Sequence, residues 1–249
     1  IAQGRSVAEL QLIAVCYRFA SQVYAGYHME VGPPFMAHAT GTACIAAGMG
    51  LSADFLGVAL LHNLYANADF GDGRGNAVTP GRRRRVRRAV GERIEALLVE
   101  FRDVRRACHR QPDPRAWCSD PSGDRRELLL IEIADHLDHL RDGRVAYLPE
   151  DGWSAGRGTG PHVRLLAIAA ISLGQNEVAR EMTEALDASP AIRRTVPEDL
   201  RRALKMPVPA LLLPASAKRR TWPALVTAAR AAHRRLGRFH RQLRGAFGR

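Results

Sequence analysis

LLLIEIADH, residues 128–136, is the most informative segment of this sequence for its fold. Its run Leu128–Ala134 is almost entirely apolar, and it lies inside Asp124–Arg141, a stretch whose pattern predicts a helix. A helix that is apolar on all sides is buried in a protein core. We therefore predict a central, buried helix that carries Asp135 into the core. A carboxylate in such a place costs several kcal/mol unless it finds partners.

Helical periodicity extends outward from this segment over most of the chain. Apolar residues recur at intervals of three and four, and the breaks between the runs are marked by Gly and Pro. The further predicted helices cover residues 7–27, 35–49, 53–67, 80–108, 162–173 and 175–186. The last two form a hairpin that turns at Gly174. Strand-like alternation is absent, so the predicted fold class is all-α.

The predicted domain organisation has three parts. A helical domain covers residues 1–150, a helical hairpin packed on it covers 151–195, and a linker with a basic C-terminal helix covers 196–249. The chain has 249 residues, which is ample length to bury a core.

The net charge of +12 comes from the end of the chain, since residues 200–249 hold thirteen Arg and Lys and no acidic residue. From Trp222 to Phe247 the apolar residues form a stripe between arginines, which is typical of a basic amphipathic helix. Such a helix binds an acidic membrane surface or a protein partner. The alternative is that the stripe packs on the protein itself. Nucleic acid is not an expected partner, because interleaved aromatic residues are missing.

The cysteine and hydropathy patterns indicate a compartment. The four cysteines, Cys16, Cys44, Cys108 and Cys118, have no C-x-x-C spacing, and a reducing environment fits them best. No apolar run reaches the roughly 18 residues of a spanning helix. The expected location is the cytoplasm.

Three segments that are distant in sequence place polar residues among apolar ones. They are FMAH (35–38), ALLHN (59–63) and IEIADH (131–136). Buried imidazoles and carboxylates need partners, and a shared metal ion is one way to satisfy them. A histidine that is hydrogen-bonded inside the core is the alternative at each single position.

The order of these segments resembles the HD-domain superfamily. The matching motifs are FA-x5-G (19–26), G-x-P-F-x-x-H (32–38), ALLH (59–62) and IAD-x-L (133–137), within residues 7–145. The alarmone-hydrolase domains of SpoT-like proteins are the well-known relatives. The resemblance implies an all-α, HD-domain-like bundle in which His38, His62 and Asp135 hold one divalent ion, commonly manganese. LLH-x-x-Y (60–65) and GERIE (91–95) also resemble an HD-like group encoded beside polysaccharide genes.

The departures from the HD pattern bear on activity. The His-Asp pair is here His62-Asn63, and an amide adds no charge to a metal site. The acidic pair that SpoT-like enzymes carry after it falls at Ala66-Asn67, where neither residue is a general base. The basic pair that holds the nucleotide falls near Met29-Glu30. Alarmone hydrolysis is therefore not expected.

Several other residues are candidates for the site. Asp69 lies two helical turns after His62 if that helix continues, and would then be the carboxylate that orients a water; the alternative is an ordinary turn. With Asn63 it completes the candidate catalytic pair. Tyr65, His139 and His28 are candidate substrate contacts. His139 shares a face with Asp135, although a solvated helix end is an alternative.

The resemblance implies a metal-dependent hydrolase of a phosphorylated small molecule, either a nucleotide or a sugar phosphate. Its divalent metal would be Mn, Fe or Zn, weakly held or absent because of Asn63. The alternative function is a catalytically inactive HD-like module that binds a ligand or regulates, linked to polysaccharide or secondary-metabolite biosynthesis.

Overall fold

The computed structural model describes residues 4–27, 34–72, 76–110, 113–118, 123–143, 159–195 and 197. Within these ranges the chain forms helices and no strand, which confirms the all-α prediction. The helices are α1 Val7–Val23, α2 Phe35–Gly48, α3 Ala53–Leu61, α4 Leu64–Asn67, α5 Pro80–Val90, α6 Glu92–Arg110, α7 Pro114–Cys118, α8 Gly123–Arg141, α9 Thr159–Ser172 and α10 Asn176–Thr195. No helix in the described ranges is both long and apolar enough to cross a bilayer. The predicted C-terminal basic helix and His28 lie outside the described residues.

Helix α8 is the centre of the bundle, as its apolar sequence predicts. Every residue from Leu128 to Leu140 is buried, including four that carry charge or an imidazole beyond Asp135. Helices α2, α3 and α6 pack around it, and α1 packs on α3 from the other side. This arrangement brings polar side chains from three helices into one interior region.

Two of the predicted helices are broken in the structure. The helix predicted over residues 53–67 ends at Leu61, and α4 begins at Leu64 after a turn at His62 and Asn63. The helix predicted over residues 80–108 is divided at Gly91, whose φ of 92° is a left-handed conformation that favours glycine. The apolar periodicity correctly predicted a helix on each side of both breaks. A periodic pattern, however, carries no signal for a change in the direction of the helix.

The hairpin predicted after the bundle is present. Helices α9 and α10 are antiparallel neighbours, and Gly174 turns the chain between them with a φ of 78°. Both helices also contact α8. The hairpin therefore supplies side chains to the region beside the C-terminal half of α8.

Candidate metal centre

Four side chains from three parts of the bundle meet at the middle of α8. His38 lies in the first turns of α2, and His62 lies in the turn that follows α3. Asp135 and His139 are four residues apart on α8 and face the same side. All four are buried, with exposures of 4% or less. The structure therefore brings the three predicted metal ligands together and adds His139.

One carboxylate oxygen is the point on which the imidazoles converge. Asp135 Oδ1 lies 3.0 Å from His38 Nε2, 3.4 Å from His62 Nε2 and 3.2 Å from His139 Nε2. The Nε2 atoms of His38 and His62 are 3.2 Å apart. The His139 ring stacks on the His38 ring, with centroids 4.2 Å apart. Three nitrogens and one oxygen thus surround a single small volume.

The outer nitrogens of two imidazoles set their orientation. His38 Nδ1 lies 2.7 Å from Asp138 Oδ2, and His62 Nδ1 lies 2.7 Å from the carbonyl oxygen of Ala59. Since these oxygens accept hydrogen bonds, each Nδ1 donates, and in the neutral ring the Nε2 lone pair then points inward. Metal-binding histidines are held in this way. Gly41 makes room for Asp138, because a Cβ there would collide with the Asp138 carboxylate.

Arg105 of α6 connects this cluster to its surroundings. Its guanidinium donates to Asp135 Oδ2, to Glu132 Oε2 at 2.9 Å and to Asn63 Oδ1 at 2.8 Å. Because a guanidinium only donates, the Asn63 oxygen must face it. The Asn63 amide nitrogen then lies 2.6 Å from His62 Nε2. Asn63, which directly follows His62 in the chain, is therefore held by Arg105 and His62.

The charges of the cluster shift the pKa values of His38 and Asp135 in opposite directions. Burial lowers the pKa of His38, but the carboxylates of Asp135 and Asp138 outweigh it and raise this pKa to about 9. Burial raises the pKa of Asp135, yet Arg105 and the neighbouring imidazoles hold it well below its usual range. Asp135 is thus an anion under ordinary conditions, and His38 is a site where a proton and a metal ion would compete.

The donor set fits a divalent cation. Asp135 Oδ1 is buried, and three imidazole nitrogens lie within 3.4 Å of it. Three buried carboxylates, Glu132, Asp135 and Asp138, stand against one guanidinium, which leaves a formal charge of −2 when the imidazoles are neutral. Buried charge requires compensation, and a dication supplies it. The amide nitrogen of Asn63 would have to move away from His62 for that residue to bind a metal.

A cleft of about 330 Å³ opens beside His62. One wall is a face of α6 that carries four arginines and an imidazole at helical spacing: Arg102, Arg105, Arg106, His109 and Arg110. The described residues that line the cleft include no carboxylate. Burial and the neighbouring charge of Arg106 lower the pKa of Arg102, and together they outweigh the opposing effect of the Asp103 carboxylate. This cleft is suited to an anionic ligand.

The other predicted site residues lie in different environments. Asp69 was expected near the metal only if its helix continued, and that condition is wrong because α4 ends at Asn67. Asp69 Oδ1 instead accepts a hydrogen bond of 2.7 Å from the Gly71 backbone, as in an ordinary turn. Tyr65 lines the cleft, but its hydroxyl donates to Glu95 Oε1 at 2.9 Å. His139 is not a solvated helix end.

Sequence reasoning missed three charged residues of the centre: Arg105, Glu132 and Asp138. Glu132 interrupts the most apolar run of the chain, which was a usable signal. Asp138 lies one helical turn after Asp135, and the same face of α8 could have suggested it. No feature of the sequence distinguishes Arg105 from the many other arginines of the chain.

Comparisons with known proteins do not identify a family for this chain. No family model and no curated protein sequence matches the chain. Among solved structures, the chain is similar to a metazoan ortholog of SpoT that hydrolyzes ppGpp and plays a role in starvation responses. The two are 17% identical with a TM-score of 0.44, over 75% of this chain and 97% of that one. A likeness of this size carries no argument about activity, so the interpretation rests on the site.

Proposed function

We propose that this protein is an HD-like, metal-dependent hydrolase that acts on a phosphorylated small molecule. The observation that carries the proposal is the position of His62. Its imidazole belongs to the cluster around Asp135 Oδ1 and also lines the cleft with the arginine face. A ligand in the cleft would therefore lie directly beside the metal-binding groups.

The cleft residues account for the ligand class. Guanidinium groups form charge-assisted, often bidentate hydrogen bonds with phosphate oxygens. Arg102, Arg106 and Arg110 offer such groups along two turns of α6, while Phe101 provides an apolar surface next to His62. A volume of about 330 Å³ lies within the range of small-molecule sites. A nucleotide or a sugar phosphate combines the required charge and size.

The residues of the centre have distinct tasks in this proposal. Asp135 supplies the carboxylate ligand through Oδ1, and Arg105 holds its other oxygen. Asp138 and the Ala59 carbonyl keep the His38 and His62 lone pairs directed at the same point. A bound dication, Mn, Fe or Zn, would supply Lewis acidity to a phosphoryl oxygen and to water.

A second candidate is a module that binds a phosphorylated ligand without hydrolysing it. Two observations favour it. The Asn63 amide lies 2.6 Å from His62 Nε2, where it competes with a metal ion. In addition, none of the described residues that line the cleft is a carboxylate that could act as a general base.

A hydrolysis screen separates the two candidates. Purified protein is incubated with Mn²⁺ and a panel of nucleotides and sugar phosphates, and released phosphate is measured. We expect Asp135→Asn to lower kcat by about 100-fold, because a ligand carboxylate is lost, and Arg106→Gln to raise KM.

The matched control is Arg93→Gln, which changes an arginine of the same helix that pairs with exposed Asp124 outside the cleft. It should keep the activity of the unmodified protein. Binding without hydrolysis, measured by calorimetry with the same panel, would select the second candidate. Neither binding nor hydrolysis would reject both.

A further inference from the structure

A second group of imidazoles lies one turn of α8 before the candidate metal centre. His109 at the end of α6, His162 in α9 and Glu132 in α8 place one ligand atom each within 4.8 Å of one another. His109 Nε2 lies 3.8 Å from Glu132 Oε1, and the His109 and His162 rings stack with centroids 4.6 Å apart. His109 and His162 are not among the imidazoles around Asp135 Oδ1, and Glu132 is linked to that cluster through Arg105.

The carboxylate of Glu132 is the observation that requires an explanation. The residue is completely buried, and its Oε2 accepts a hydrogen bond of 2.9 Å from Arg105. Its Oε1 is also buried and accepts no hydrogen bond from the described residues. Leaving a buried acceptor unsatisfied destabilises the folded state, and the effect is larger for a charged acceptor. Oε1 faces His109 and also His136, whose Nδ1 is 3.7 Å away.

The arrangement of Glu132 repeats that of Asp135. In each case Arg105 donates to one carboxylate oxygen, and the other oxygen is buried and faces imidazole nitrogens. Arg105 thus donates to the carboxylate of each of these two similar groups. The second group has its own ligands and does not depend on Asn63.

Two imidazoles and one carboxylate form a donor set that zinc uses in proteins. Ligand atoms about 2.1 Å from a tetrahedral zinc lie about 3.4 Å apart, so the 3.8 Å between His109 and Glu132 needs only a small closure. His162 is buried, and His109 is partly exposed, which leaves a path for an ion from the cleft that His109 lines.

We propose that His109, Glu132 and His162 form a second divalent-metal site of zinc type, distinct from the His38, His62 and Asp135 centre. The ligands come from α6, α8 and α9, so an ion there ties the C-terminal hairpin to the bundle. The proposal does not rest on hydrolytic activity.

Zinc stoichiometry tests the proposal. The full chain and its variants are dialysed against chelator-buffered Zn²⁺, and bound zinc is measured by atomic emission. We expect two equivalents in the unmodified protein, one in His162→Ala, one in His38→Ala and none in the double variant. Substitution with Co²⁺ should give the visible absorption of a four-coordinate site in His38→Ala and not in the double variant.

The matched control is Arg164→Ala, which changes an exposed residue of α9 two positions after His162. It should keep two equivalents. His109→Ala is the second variant, since His109 is partly exposed and its loss does not open a core cavity.

The possible outcomes separate this proposal from the proposed function. One equivalent that is lost in His162→Ala and kept in His38→Ala supports the second site alone. Unchanged zinc content in both His162→Ala and His109→Ala overturns it. Absence of tightly bound zinc in the unmodified protein overturns it as well.

Discussion

Asp138 shows how one side chain determines the direction of a candidate ligand. Its Oδ2 lies 2.7 Å from His38 Nδ1, and Gly41 on α2 leaves the space that this carboxylate occupies. Without the hydrogen bond, the His38 ring can rotate or exchange its protons between the two nitrogens. Rotation would turn the Nε2 lone pair away from Asp135 Oδ1, and the other tautomer would place a proton on Nε2.

We expect Asp138→Ala to weaken metal binding by about 10- to 100-fold, because loss of a carboxylate that holds a ligating histidine has effects of that size. Titration calorimetry with Mn²⁺ measures the change. Asp103→Ala, which removes an exposed carboxylate of α6, is the control and should bind as the unmodified protein does. Equal affinities for Asp138→Ala and the control would contradict the role given to Asp138.

Helix α3 packs unusually close to its neighbours. A Cβ added at Gly57 would lie 2.9 Å from Cys16 Sγ on α1 and 2.9 Å from Ile94 Cδ1 on α6. Cys16 is completely buried there, and burial raises the pKa of its thiol to about 12, so it stays protonated. The small residue therefore sets the position of α3, and with it the position of His62 at the end of that helix.

We expect Gly57→Ala to lower the free energy of unfolding by about 1–3 kcal/mol, since overpacking forces neighbouring side chains from their rotamers. Gly48→Ala is the matched control: Gly48 is also helical, and a Cβ there meets nothing within 4 Å. It should be neutral or stabilise by up to about 1 kcal/mol through helix propensity. Urea denaturation measures both, and equal effects would show that α3 has room to move.

Glu95 connects α4, α5 and α6 through one buried carboxylate. Tyr65 donates to it at 2.9 Å, Arg83 at 2.6 Å and Arg87 at 2.9 Å. Burial raises the pKa of Glu95, but hydrogen bonds from both arginines and from the tyrosine outweigh it and lower the pKa below its ordinary 4.5. At pH values between 4.5 and the lower pKa of Glu95 in the folded protein, Glu95 binds a proton more readily in the unfolded chain than in the folded one.

The contribution of Glu95 to stability is therefore complete above pH 4.5 and is lost as the pH falls through the folded pKa. We expect Glu95→Gln to cost about 1–3 kcal/mol at pH 7, with a smaller difference from the unmodified protein below pH 4.5. Urea midpoints across this pH range measure it. Arg88→Gln, an exposed neighbour on α5, should keep the original pH dependence; a difference for Glu95→Gln that is constant with pH would contradict the linkage.

The whole bundle encloses more negative than positive charge at its centre. With neutral imidazoles, Glu132, Asp135 and Asp138 outnumber Arg105. The raised pKa of His38, about 9, is one response of the protein to this excess. A bound dication is another, and it would stabilise the folded state because the unfolded chain has no assembled site.

We expect a divalent ion at 100 times its dissociation constant to stabilise the fold by about 2.7 kcal/mol. For a protein of this length that corresponds to a rise in Tm of about 5–10 °C. Differential scanning fluorimetry with and without Mn²⁺, Fe²⁺ or Zn²⁺ measures it. The double variant Asp135→Asn, Glu132→Gln should show no rise, and a rise of equal size in that variant would place the ion elsewhere.

Some expectations stay predictions. The three-part domain division, the cytoplasmic location and a membrane or protein partner for the basic stripe Trp222–Phe247 depend on parts of the chain or on measurements beyond the described residues. Liposome co-sedimentation with and without residues 215–249 tests the stripe. Membership of the HD-domain superfamily likewise stays a prediction.

Local sequence was sufficient for the all-α class and for a buried α8, because helical periodicity and apolar runs act over neighbouring residues. The apolar runs also single out His38, His62 and Asp135 as buried polar residues, and their role as metal ligands stays a prediction. The turn at His62 and Asn63 and the contacts of Arg105 were decided by tertiary packing, whereas the break at Gly91 uses a backbone conformation that favours glycine. His38 and Asp138 are 100 residues apart in the chain and 2.7 Å apart in space, and no local pattern contains such a pairing.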